Sequence, residues 1–455
     1  MGKLIQADKG KISSVFFQYY IPTLISLLSI TIHQIIDGLI LGKYVGKYGT
    51  ASLGLFLPII TIFIAFGLII SVGGGIFLSK SLGAQKKEEA DEVFNFTTTL
   101  VIIFGILIFF IGPFFSETIV YYLIDNYNNE LFENAKDYTF FGFLWIPFLL
   151  VRMVWGTAIS HDGAPRISKN ASILAVVTNI LLDILLVVII PLGTKGASIA
   201  TGIAILISLV YLYIYLSSSK GNLNLKRFKF TLKYKKWRTL FYHGFPSFIS
   251  EISFSIALIL INKALIPFGV IAISVFGIIN YLSVIFLRLF TGAMISVLPV
   301  ISFNIGASLP NRVIKTLNFS LLFTTCLGCI ITVLAFLIPK ELIQIFIRDE
   351  SENFYAIATE GISLFFLLFL AAGPNYIFGA YLQSIGKIKL SIILHLFKGV
   401  IFVGILLLIL PNYFDLGING IWLSRSSAEI ITIVLIGAYT MIYNKKYYSK
   451  EAILR

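Results

Sequence analysis

In a chain of 455 residues, hydrophobic side chains make up 58%, charged ones only 13%, and the mean hydropathy is +0.93. Those proportions exclude a soluble globular domain. A net charge of +13 brings nucleic acid to mind as a partner. The lysines and arginines gather instead in alternate segments between the apolar runs, the positive-inside pattern of a membrane protein with both termini cytoplasmic.

Taken in order, apolar runs long enough to cross a hydrocarbon core of about 30 Å predict spans near 16–41, 51–79, 95–116, 138–160, 168–191 and 196–218. A second set falls near 241–265, 271–302, 317–338, 358–383, 389–411 and 418–443. About twelve spans make this an all-α polytopic membrane protein, multi-pass in the cell (inner) membrane. The opening MGKLIQADKGKISSVFFQYYIP has no small-residue cleavage pattern, so the first span is expected to remain in the protein. The loops SETIVYYLIDNYNNELFENAKD and PKELIQIFIRDESENF are acidic and polar, as outside segments should be. At mid-chain the run KGNLNLKRFKFTLKYKKWR reads as a solvated loop facing lipid headgroups. The expected organisation is an N-terminal six-helix lobe at 1–218, a basic cytoplasmic linker at 219–240 and a C-terminal six-helix lobe at 241–455.

The halves repeat. Gly54 to Ala84 aligns without a gap to Gly277 to Ala307, sharing the first Gly and the final Gly-Ala. Upstream, IPTLIS at Ile21 matches FPSFIS at Phe245, and Val45-Gly46 matches Phe268-Gly269. Because six spans is an even number, both copies enter from the same side, giving a parallel repeat of the kind found in two-lobed transporters.

Polar residues inside the spans carry the functional signal. Asn179 and Asp183 stand four apart in an otherwise apolar run and share a helix face. A carboxylate at that depth is expensive unless paired, hydrated, protonated or ion-bound. In the first span His33 and Asp37 share a face in the same way, so the two can titrate as one unit. Pro22, earlier in that span, removes a backbone hydrogen bond and is a candidate bend point. In the sixth span GASIATG permits close helix approach and brings Thr201 to a similar depth. Two carboxylates, an amide and a hydroxyl suit a proton or a hard cation, with no dedicated transition-metal cluster. Cys326 and Cys329 lie in an apolar run and are read as buried thiols, without a disulfide. No HExxH, GxSxG or P-loop occurs, so the chain carries no enzymatic motif and no cofactor signature.

Together these pieces resemble the multidrug and toxic compound extrusion (MATE) transporters over essentially the whole chain. The matching residues are Pro22 to Asp37 followed by Gly42, AFGLIISVGGGIFLSKSLGAQKKEEAD, NILLD followed by KGASIAT, SFNIGA, LQSIGK at Leu382 and GINGIW at Gly417. The resemblance implies a proton- or sodium-driven antiporter, monomeric, exporting amphipathic compounds by alternating access. It also implies a cation site, for H+ or Na+, at Asp37, Asn179, Asp183 and Thr201. His33 departs from the Tyr usual in the family, removing a candidate oxygen ligand and adding a titratable nitrogen, which favours protons. Glu251, Arg288 and Lys398 in the C-terminal spans form either an ion-pair network or a partly basic cavity wall, and Arg425 with Glu429 reads as a local helix pair. Three other readings compete: a flippase for lipid-linked sugars, a non-transporting membrane receptor and an intramembrane enzyme. The first would need a more cationic cavity, the second a soluble output domain and the third a catalytic set.

Overall fold

The computed structural model describes residues 4–124, 128–347, 351–443 and 447–454. Parts of both acidic loops, residues 125–127 and 348–350, lie outside the described residues. The first six spans are α1 (Ile12–Tyr44), α2 (Lys47–Gly83), α3 (Lys87–Leu123), α4 (Asn129–His161), α5 (Pro165–Asp183) with a π-helical continuation Ile184–Ile189, and α6 (Gly193–Ser217). The next six are α7 (Trp237–Leu265), α8 (Gly269–Gly306) and α9 (Pro310–Leu337), then two interrupted spans and α15 (Gly417–Ile442). A short helix, α10 (Pro339–Gln344), precedes the first interrupted span, which is α11 (Glu352–Phe366) followed by α12 (Phe369–Ser384). The second is α13 (Ile388–Leu396), a π turn at Phe397–Ile401 and α14 (Phe402–Asn412). Among the described residues, eleven stretches are long and apolar enough to cross a membrane. One of them, Trp237–Gly306, holds both α7 and α8, so the spans number twelve.

Backbone conformations make the duplication visible. Gly46 and Gly269, Gln85 and Ser308, and Gly163 and Gly386 all have positive φ, and each pair is 223 residues apart. The tertiary hydrogen bonds follow the same offset. Ser79 bonds His161 as Ser302 bonds Ser384, and Ser168 Oγ donates to the Gly156 carbonyl as Ser391 Oγ does to that of Gly379.

One compact unit comprises the residues up to Lys9 with Phe17–Gly244, and the other Gly10–Phe16 with the residues from Phe245 on. Both α1 and α7 are shared between the units, each contributing its first turns to one and the remainder to the other. In the first unit α4 is central, packing on α2, α3 and α6. Lipid tails are as apolar as leucine, so contact comes from close fit and not from escape from water. Phe56 meets Tyr138 and Trp145 edge-on at 5.2 and 5.6 Å, and a Cβ on Gly142 would fall 2.5 Å from the Phe56 ring. In the second unit Phe276, Phe290, Phe366, Phe369 and Trp422 form the equivalent core.

The basic mid-chain segment packs with the first unit. Leu223, Tyr234 and Leu240 are buried in its core. Asp162, in the turn between α4 and α5, accepts hydrogen bonds from the Asn222 and Leu223 backbone and the Asn222 amide at 2.8, 3.2 and 2.7 Å. Burial pushes its carboxyl up to about 6 against the opposing pull of those bonds.

Candidate functional site

Helix α1 runs unbroken through Pro22 and places His33 Nδ1 3.0 Å from Asp37 Oδ1, one turn away. Asp183 and Asn179 are 1% exposed on α5, and Thr201 on α6 is 8% exposed. All five side chains that the sequence singles out in this half meet at one point, and Asn179 is its hub. With its oxygen turned to the carboxylates, the amide would set acceptor against acceptor, so its nitrogen takes that side. It then lies 2.6 Å from His33 Nδ1, 2.9 Å from Asp37 Oδ1 and 3.1 Å from Asp183 Oδ2, while its oxygen accepts from Thr201 at 3.3 Å.

Three acceptors face an NH2 that has two hydrogens. At most two of the three can be served at once, so the cluster is one hydrogen short until a proton or a cation joins it. Asp183 Oδ1 still has no hydrogen-bond partner although it is buried. A buried, unsatisfied carboxylate oxygen is a position where a proton or a hard cation gains most. Two carboxylates, the amide oxygen and the Thr201 hydroxyl supply hard donors for a cation such as Na+, provided the amide turns over.

Tyr138 on α4 also belongs to this site, which the sequence does not announce. Its side chain lies within Coulombic reach of Asp37 and Asp183 beside Thr201, and it is 3% exposed. Trp145, one heptad on, donates to Ser198 at 3.1 Å, and Ser198 donates to the Tyr138 carbonyl at 3.0 Å. An aromatic on an apolar helix reads as core, and only its tertiary partner reveals the polar end.

In the second unit Lys398, Arg425 and Glu429 are 4%, 5% and 0% exposed. Glu429 Oε1 takes Lys398 at 3.6 Å and Arg425 at 3.4 Å, and its Oε2 accepts from Asn375 at 2.6 Å. The helix pair of Arg425 and Glu429 is therefore part of a larger cluster. Lys398 also sits 3.9 Å above the Tyr376 ring. Glu251 on α7 and Arg288 on α8 are within Coulombic reach of each other and of Tyr376, while Lys398 pairs with Glu429.

Solved structures share this architecture. A MOP superfamily transporter from Pyrococcus furiosus, described as having a binding pocket of reverse polarity, superposes with a TM-score of 0.90 over 99% of both chains at 18% identity. A multidrug resistance MATE family transporter in an outward-facing conformation gives 0.89, over 100% of this chain and 99% of that one, also at 18% identity. The fold is thus that of multi-pass membrane transporters of this superfamily. The MatE family model matches residues 22–185 and 246–413, and the chain belongs to that family. Relatives named multidrug export protein MepA, from Staphylococcus saprophyticus and Staphylococcus haemolyticus, are each 24% identical. The matches cover 97% and 95% of this chain and 96% and 94% of theirs.

Proposed function

We propose that this protein is a secondary antiporter of the cell membrane, with both termini cytoplasmic, that exports amphipathic organic compounds in exchange for protons by alternating access. The observation that carries the coupling is the cluster of His33, Asp37, Asn179 and Asp183, with one buried carboxylate oxygen unpartnered. Two carboxyl groups joined through one amide cannot both stay ionised in a low-dielectric lobe without a proton or a cation. Binding there favours one conformation and substrate the other, which is the differential affinity that exchange requires.

His33 supports the proton over sodium, since it supplies a second titratable group beside Asp37 in place of an oxygen ligand. The relatives named as multidrug exporters support the substrate class. The test is ethidium efflux from proteoliposomes under pH and Na+ gradients imposed separately. Transport driven by the pH gradient at constant Na+ is expected. Transport that follows only the Na+ gradient overturns the proton assignment, and ethidium movement indifferent to both gradients overturns antiport.

A further inference from the structure

The cluster above is the upper tier of a column. Arg152 on α4 stands a heptad beyond Trp145 and two beyond Tyr138, Ser172 on α5 a heptad before Asn179, and Ser208 on α6 a heptad beyond Thr201. Seven residues are nearly two helical turns and keep the same face, so this second tier lies roughly 10 Å along the helices from the first. The tier is closed by hydrogen bonds, with Arg152 Nε donating to Ser208 Oγ at 2.6 Å and Nη2 to Ser172 Oγ at 3.0 Å. On those faces of α5 and α6 the small Ala175 and Ala204 lie between the tiers. Beyond Arg152 the polar line continues, with Ser160 Oγ donating to Ser168 Oγ at 3.0 Å and Ser168 to the Gly156 carbonyl at 2.7 Å.

Arg152 is an anomaly on physical grounds. A guanidinium in a spanning helix is expensive and normally has a carboxylate. In the second unit Arg425 has Glu429, but among the described residues no carboxylate lies within 4.0 Å of Arg152, whose hydrogen bonds go to two neutral hydroxyls. Two serines neither neutralise the charge nor use all five of its N–H donors. A fixed positive charge on a polar line that leads from a cation-binding cluster is the device by which channels turn protons and cations back.

We propose that Arg152 is the electrostatic barrier that closes the first unit's polar column to protons, so that the coupling ion reaches and leaves the Asp37 and Asp183 cluster only through the alternating-access cycle and never along the column. This rests on the cluster being an ion site, and adds that its tight coupling depends on a residue two turns away. Arg152 is a specificity-determining residue of the exchange and does not itself bind the coupling ion.

The experiment measures passive proton entry into proteoliposomes holding a trapped pH-sensitive dye, under an inside-negative potassium diffusion potential and without any transported compound. Arg152→Gln should raise the leak about tenfold, the factor expected from one unit charge roughly 10 Å away at an effective dielectric constant of about 20. Arg152→Lys should stay near wild type. Adding Asp183→Asn to Arg152→Gln should return the leak to the wild-type rate. Ser172→Asp keeps the arginine and neutralises its field, so it should leak as Arg152→Gln does, and it carries the test if the glutamine variant fails to fold. A leak within twofold of wild type in folded Arg152→Gln or Ser172→Asp overturns the barrier, as does a leak that persists without Asp183. None of these results depends on whether ethidium is exported, so failure of the barrier and failure of the antiport reading are told apart.

Discussion

Replacing Glu429 by Gln removes the single carboxylate that holds two buried cations. Lys398 and Arg425 are 4% and 5% exposed, and each makes its ion pair to Glu429 Oε1. Stranding a buried charge by deleting its partner costs about 3–5 kcal/mol, and a glutamine of the same shape leaves packing almost untouched. Lys398→Met is a different perturbation, since it leaves Arg425 and Glu429 balanced and still bonded to Asn375. It should cost about 1 kcal/mol or less, because an apolar side chain replaces a buried ion at little penalty. In the double variant one stranded cation is gone, so it should be more stable than Glu429→Gln alone, with a coupling of about 1–3 kcal/mol. Thermal unfolding in detergent, followed by tryptophan fluorescence, reads this directly. At about 2–4 °C per kcal/mol, Glu429→Gln should lower the midpoint by roughly 6–20 °C. Equal losses from Glu429→Gln and Lys398→Met, or additive losses in the double variant, would refute the charge-balance argument.

Four further outcomes are expected. Asp37→Asn and Asp183→Asn should each abolish gradient-driven ethidium export while the protein remains folded, and His33→Tyr should flatten the pH dependence or raise the response to Na+, all read in the same proteoliposomes. The folded value of Asp162, about 6, lies above that of an unfolded aspartate at about 3.9, so its stabilising contribution is full below about pH 4 and is lost as pH rises through about 6. Asp162→Asn should therefore reduce the slope of thermal stability against pH between those values, and an unchanged slope would count against it. Gly328→Ala would drive a Cβ into the Phe369 carbonyl, where backbone has to shift, and should destabilise by about 1–3 kcal/mol in the same unfolding measurement.

Span count, the duplication and the membrane class were legible because each rests on long-range regularity of apolar runs, which survives local detail. The five residues of the first cluster were legible for a related reason: ionisable or amide side chains in such runs stand out against leucine and isoleucine. Tyr138 and Arg152 were harder to read. Tyr138 resembles any core aromatic, and Arg152 resembles any span cation until Ser172 and Ser208 are found beside it and, among the described residues, no carboxylate is. The cluster at Glu429 shows the same limit, since spacing along α15 reveals Arg425 but not Lys398 or Asn375 from other helices. The π segments at Ile184–Ile189 and Phe397–Ile401 were not legible, because they differ from α-helix in hydrogen-bond register and not in composition.

The π turn directly after Asp183 has a consequence for insertions and deletions. There the Ile190 amide reaches back five residues to the Leu185 carbonyl, so the helix accommodates one residue more than an α-turn would. Deleting a single residue between Ile184 and Ile189 would let the segment close up as ordinary α-helix, with no hydrogen bond lost. The turn into α6 would then pull everything before it round by about 100°. Asn179 and Asp183 would swing off the face that meets Asp37 and Thr201, in a protein that still folds and still spans the membrane. At this place a gap of one residue between homologues is a mark of changed chemistry, and in an alignment it outweighs many substitutions.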